Sequence, residues 1–333
     1  MSRTEVAKNE IIGLDVGTSR IVTARQINNE IKYKTQLNAF VTIPYSKMTE
    51  NVLQKEAVPH AVNGDEILVH GNESERFAEL LNKDIRRPMA RGILNPDESE
   101  NVRLIRQITE SLVGKGEGQR VYFSVPAPLL GSEENLTYHE ATLRQVLTEL
   151  GFEVKSVNEG LAVVYAELES SNYTGIGISC GGGLCNVCFS YLSVPILSFS
   201  IHKAGDFIDA SAASVTGARP NHIRILKEQS FYINGHFENK LQQVLSVYYD
   251  DMIQSLVTAL RNVFQGARHL PKLARPIPVV LSGGTAMPKG FRDRFEAVLR
   301  ASDFPVELSE IRTAADPLTT TAKGTLVAAL SEL

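Results

Sequence analysis

Three cysteines in 333 residues are too few, and too odd a number, for a disulfide framework. Positive charge is not in excess either. Thirty-four Lys and Arg stand against 38 Asp and Glu, a net charge of −4, so the counterion-release drive behind general nucleic-acid binding is missing. No apolar run approaches the roughly 18 residues that cross a bilayer. The segment Met1–Glu10 mixes Arg, Glu, Lys and Asn around no apolar core, so it is not expected to serve as a secretory signal. The P-loop pattern Gly-x-x-x-x-Gly-Lys-Ser/Thr is absent as well. These absences leave a soluble, cytoplasmic chain as the expectation. With 43% hydrophobic and 22% charged residues, the chain is ordinary for a globular protein and long enough for about two domains.

Strand and helix signals alternate along the chain, which predicts α/β architecture. Glu10–Gln26 reads as strand, tight Gly turn, strand, and short strand pieces follow at Ala39–Ile43 and Glu66–His70. Helices are expected at Asp97–Val113, Glu140–Leu150 and Glu159–Leu168, with strands at Val121–Val125, Val154–Val157 and Gly175–Ser179. The longest helix, Asn239–Gly266, carries Leu241, Leu245, Tyr248, Met252, Leu256, Leu260 and Val263 at steps of three and four, a stripe suited to packing on a sheet. Strand Pro278–Ser282, helix Lys289–Arg300 and a helix after Pro317 close the chain.

Ile12-Gly13-Leu14-Asp15-Val16-Gly17 has a partner 164 residues on, Ile176-Gly177-Ile178-Ser179-Cys180-Gly181. Each copy is strand, Gly turn, strand, which suggests two related domains across a cleft. The first turn, with Asp15, Gly17, Thr18 and Ser19, reads either as an ordinary hairpin or as a cradle of amides for phosphate, with Asp15 holding the water shell of Mg²⁺. The second turn, Gly181-Gly182-Gly183, has no Cβ atoms to keep a ligand away. A third, Gly283-Gly284-Thr285, again follows an apolar strand and precedes a helix. Cys180, Cys185 and Cys188 form C-x4-C-x2-C; an iron–sulfur cluster of that spacing needs a fourth Cys, and small buried core residues are the reading preferred.

In this order and spacing the motifs resemble the actin-like ATPase superfamily, most nearly its MreB and MamK type, over almost the whole chain. Ile12–Ala24 and Gly175–Phe189 look like the two phosphate motifs, and Val279–Gly290 like the adenosine motif. Arg87-Pro88 with Gly92-Ile93-Leu94 is similar to the segment before the first connecting helix. Ala204-Gly205-Asp206-Phe207-Ile208-Asp209 is similar to the MreB segment AGDxxD, and Asp316-Pro317-Leu318-Thr319 with Ala322 and Gly324 to DPLTxxAxG. Val157–Val163 matches the segment that carries the family's catalytic carboxylate and puts Glu159 where water would be oriented. Read without the family, Glu159 is an acid favoured at a helix N-terminus.

The resemblance implies an actin-like fold of two related domains, each a mixed sheet flanked by helices, around a nucleotide cleft. Domain I would span 1–153, with an inserted subdomain at about 30–95. Domain II would span 154–333, with the helix at about 317–332 returning to domain I. It implies ATP and Mg²⁺ as cofactors, Glu159 and Asp15 as catalytic residues, and a slow ATPase that polymerises with itself into cytoplasmic filaments. Nucleotide contacts would come from Gly17, Thr18, Ser19, Gly181, Gly182, Gly183, Gly205, Asp206, Gly283, Gly284 and Thr285. In Ile223–Glu228, similar to the IKxE helix, the acidic residue is displaced, and Lys227 and Glu228 stand in. Ser179 departs from the family's Asp, which weakens the metal's surroundings and puts hydrolysis in doubt. An FtsA- or PilM-like adaptor is therefore the alternative. A small-molecule kinase lacks a recognisable acceptor-site base, and a chaperone lacks chain for a peptide-binding domain. The polar N-terminus does not match the amphipathic anchor of some MreB proteins, and attachment to a membrane or adaptor is left open.

Overall fold

The computed structural model describes residues 10–95, 97–131, 136–233 and 235–332. Most of the N-terminal segment read above as neither signal nor anchor lies outside the described residues. No described helix is long and apolar enough to cross a membrane.

The chain opens on β1 (Ile11–Val16), apolar and buried except at Asp15, and turns at Gly17-Thr18-Ser19 into β2 (Arg20–Ile27). Asn28 and Asn29, both at positive φ, turn it again into β3 (Glu30–Leu37); Asn tolerates that conformation through its short polar side chain. A small unit follows: β4 (Phe40–Pro44), α1 (Lys47–Lys55), β5 (His60–Asn63), β6 (Glu66–His70), α2 (Glu73–Leu80), and a short hairpin of β7 (Met89–Ala90) and β8 (Ile93–Leu94). Its antiparallel sheet runs β4-β6-β5 over its own core of Val41, Ile43, Leu53, Val58, Ile67, Val69 and Ala78. Then come α3 (Asn101–Val113), β9 (Arg120–Val125), α4 (Leu136–Glu149) and β10 (Glu153–Asn158). The helix expected from Asp97 starts four residues later, because residues 97–100 are spent on turns.

Asn158 caps α5 (Glu159–Glu167), its side chain accepting from the amide of Leu161. The second half holds β11 (Gly175–Cys180), β12 (Cys185–Tyr191), β13 (Val194–Ile201), α6 (Gly205–Thr216), α7 (Pro220–Ser230), α8 (Lys240–Gly266), β14 (Ile277–Ser282), α9 (Phe291–Ala301), β15 (Leu308–Thr313) and α10 (Thr320–Ser331). On α8 the buried stripe is rotated from the expected one. Tyr249, Ile253, Val257 and Phe264 reach the core beside Leu245, Met252, Leu256 and Leu260, while Leu241, Tyr248 and Val263 sit at its margin. The helix faces a broad apolar surface, so its stripe is wider than a single three–four ladder.

Two five-stranded mixed sheets result, β10-β9-β1-β2-β3 and β15-β14-β11-β12-β13. Both have the same plan: a hairpin-linked antiparallel meander, and two strands added in parallel on its first strand. The expected duplicated α/β architecture is therefore present. β1 and β11 are 164 residues apart at both ends, and each following turn closes on the same bond, Gly17 N to Arg20 O and Gly181 N to Leu184 O, both 2.9 Å. The same spacing separates Gly160 in α5 from Gly324 in α10. These helices cross between the sheets, where a Cβ on Gly324 would collide with the carbonyl of Ala162. Ala322, Leu326 and Ala329 of α10 pack with Ile11, Val22 and Tyr122 of the first sheet.

Candidate functional site

The first two glycine turns face each other at the meeting of the halves. Asn38, just past β3, braces the first: its amide donates to Ser19 O and its side chain to Gly17 O, each at 3.0 Å. In the second turn, a Cβ on Gly182 would collide with Ser19 Oγ, and one on Gly183 with the amide of Gly92 and with Thr18 Oγ1. Gly92, at the tip of the β7–β8 hairpin, donates from its amide to Thr18 Oγ1 at 3.1 Å. The second turn is also tied to its own half. Gly181 O accepts from Thr285 Oγ1 (2.8 Å) and Gly205 N (3.1 Å), and Gly182 O from Asp206 N (2.8 Å). The third turn, with Gly283 at φ 88°, and the start of α6 are thus fixed against the second.

Two carboxyl groups stand beneath the turns. Asp15, near the end of β1, accepts from Ser124 Oγ of β9 at 2.6 Å. Glu159, the first residue of α5, accepts from Asn186 Nδ2 of β12 at 2.8 Å and from Ser179 Oγ at 3.4 Å. Burial pushes Asp15 up to about 6 despite the Ser124 hydrogen bond. Burial, and then the charge of Asp15, pushes Glu159 up to about 8. Among the described residues neither is paired with a cation. Ser179 occupies in the second hairpin the place that Asp15 holds in the first.

A cavity of about 410 Å³ opens over these groups. Every site residue singled out from the sequence lines it: Asp15 and the first turn, Glu159, Ser179 and the second turn, Gly205 and Asp206, Lys227 and Glu228, and Gly283 to Thr285. Lys227 is engaged within the wall, its ammonium 2.7 Å from Asp209 and 3.2 Å from Gly205 O. Glu228 is shared between Arg20 across the cavity (2.8 Å) and Arg224 one helical turn back (3.0 Å). Arg224 continues to Glu75 of the small unit, and Arg87 crosses to Asp206 at 2.6 Å. Sequence reasoning missed Ser124, Asn186, Arg20 and Arg224. Only the strand order brings Ser124 and Asn186 to the carboxyls, but Arg20 directly follows the first turn and was open to notice.

Cys180, Cys185 and Cys188 are free and buried, and Cys180 opposes Cys185 in the β11–β12 register. Among the described residues no group of three or more His, Cys, Asp or Glu is placed to hold a metal ion.

The architecture is similar to that of solved actin-like proteins along nearly their whole length. A MamK double helical filament superposes with a TM-score of 0.73 at 16% identity, covering 98% of this chain and 99% of that one. MreB5 of Spiroplasma citri bound to AMPPNP gives 0.66 at 14%, covering 97% of each. The ethanolamine utilization protein EutJ from Carboxydothermus hydrogenoformans gives 0.56 at 15%, covering 95% of this chain and 88% of that one. No curated protein sequence matches the chain significantly. At such identities the likeness carries the fold, which is actin-like. The family follows from the sequence: residues 11–329, from β1 into α10, match the Volactin family model, and the chain belongs to that family.

Proposed function

We propose that this chain is a cytoskeletal protein that binds ATP with Mg²⁺ in its cleft, assembles with copies of itself into cytoplasmic filaments, and hydrolyses the nucleotide slowly. The observation that carries this reading is the convergence of three glycine turns and two half-buried carboxyls on one cavity between the halves. Its supports are the backbone-lined turns, which suit phosphate oxygens, and the actin-like fold.

The donors fit an ATP-bound Mg²⁺ better than a dedicated metal cage. Mg²⁺ favours one or two carboxylates together with substrate phosphates and retained water, and Asp15 and Glu159 are two half-buried acids that lack a basic partner among the described residues. Bound there, the ion would supply positive charge to the phosphates. Asp15, kept in place by Ser124, would hold its water shell, with Ser179 a weaker neighbour. Gly17, Thr18, Ser19, Gly181, Gly182 and Gly183 would face the phosphates, with Gly205, Asp206 and Thr285 behind them. Lys227, Glu228, Gly283 and Gly284 would border the nucleoside. Glu159, oriented by Asn186, would accept a hydrogen bond from the attacking water. Positioning and electrostatics supply most of phosphoryl-transfer catalysis.

Identical subunits joined head to tail form open filaments when the operation does not close. A second reading, an adaptor with weak or absent hydrolysis, is favoured by one observation: Ser179 stands where the other hairpin has Asp15. Sedimentation and electron microscopy with and without ATP and Mg²⁺ separate the two. Filaments that need ATP, and that Gly182→Val abolishes together with ATP affinity, are expected. A protein that binds ATP yet stays monomeric at every concentration would favour the adaptor.

A further inference from the structure

The phosphate end of the cavity is acidic: Asp15, Glu159 and Asp206 line it, yet a nucleotide brings several negative charges there. The lining cations are not equally free to answer them. Lys227 is buried against Asp209. Arg224 is buried between Glu228 and Glu75. Lys289 lies beyond the third turn, its ammonium 5.5 Å from the centre of the Tyr232 ring. Arg20 differs on three counts. It is the residue directly after the first turn, and its carbonyl closes that turn on Gly17 N at 2.9 Å. Its side chain is 30% exposed, against 5% for Arg224 and 6% for Lys227. Its one acidic partner among the described residues, Glu228, is also held by Arg224, so Arg20 can leave without stranding a charge.

We infer that Arg20 is a phosphate-binding residue, held across the cavity by Glu228 and transferred to the polyphosphate of a bound nucleotide. A guanidinium presents a planar fork of donors that fits phosphate oxygens. This inference rests on the ATP reading of the cavity and adds to it a determinant for the number of phosphates.

The test is calorimetry with adenosine, ADP and ATP in excess Mg²⁺ on the wild type, Arg20→Met and Arg20→Lys, with melting temperatures recorded for each. Loss of a hydrogen bond to a charged group predicts ATP affinity about 10- to 100-fold weaker in Arg20→Met. Adenosine affinity should be unchanged, ADP should be affected less than ATP, and Arg20→Lys should recover part of the loss. Equal weakening of adenosine and ATP, or unchanged ATP affinity in folded Arg20→Met, overturns the role of Arg20 alone. A wild type that binds neither adenosine nor ATP overturns the nucleotide reading and this inference with it.

Discussion

Ser179 directs its hydroxyl to Glu159 at 3.4 Å, although its counterpart in the first hairpin, Asp15, is a carboxylate bound to Ser124. The duplication has therefore kept the backbone and changed the charge. With an acid at both positions, three carboxyls would crowd a site where two already lie well above their usual range.

That crowding gives Ser179→Asp two opposite effects. In Mg²⁺ and ATP the added carboxylate should raise turnover, by no more than the roughly 10²–10³-fold that one positioned electrostatic group commands. Without Mg²⁺ the same variant should melt at a lower temperature than the wild type, because like charges in a buried site repel. Phosphate release and thermal melts check the two arms; a rate unchanged or reduced while ATP still binds would show that Ser179 does not limit hydrolysis.

Asn186 uses both ends of its amide, one across to the first half and one on Glu159. Its Oδ1 accepts from the buried amide of Ala127 at 2.8 Å, and its Nδ2 donates to Glu159. Asn186→Ala strands that buried amide and removes a donor from Glu159, a loss of about 1–3 kcal/mol. Urea melts should register it, and turnover should fall as Glu159 loses its orientation. Asn186→Asp keeps the acceptor for Ala127 but sets a second acid against Glu159, so its cost should grow as pH rises through about 8 and Glu159 ionises.

His139 of α4 is 1% exposed, and neither of its ring nitrogens has a partner among the described residues. Burial lowers it to about 4. In the unfolded chain an imidazole titrates near 6.5, so between pH 6.5 and 4 the unfolded state binds the extra proton. Stability is then complete above pH 6.5 and declines as pH falls, by about 2 kcal/mol from pH 7 to pH 5 for this one group. His139→Leu should flatten the slope measured in urea melts at pH 7, 6 and 5. If the variant keeps the wild-type slope, His139 is not its source.

Much of this was legible in the sequence because it was written in glycine. The turns at Gly17, Gly181 and Gly283 and the spacing of 164 residues announce a duplicated α/β chain, since few other residues permit such backbone approach. Asp15 and Glu159 could be read from the segments around them. Ser124 and Asn186 could not, because their proximity to the carboxyls depends on which strands become neighbours. Lys227 shows a further limit. Its segment marked it as bordering the cavity, but its pairing with Asp209 depends on how α6 lies against α7, which no local pattern encodes. The stripe on α8 was displaced for a related reason: periodicity gives the spacing of buried positions, while the sheet above decides which side of the helix is covered.

The crossing of α5 and α10 has a mechanical consequence. At Gly324 the two helices meet with no side chain between them, so a Cβ there would fall on the carbonyl of Ala162. Close-packed interiors transmit strain rather than absorb it. A side chain at position 324 would therefore push α5 and α10 apart, and with α10 the face of the first sheet it packs on, whatever the cavity held.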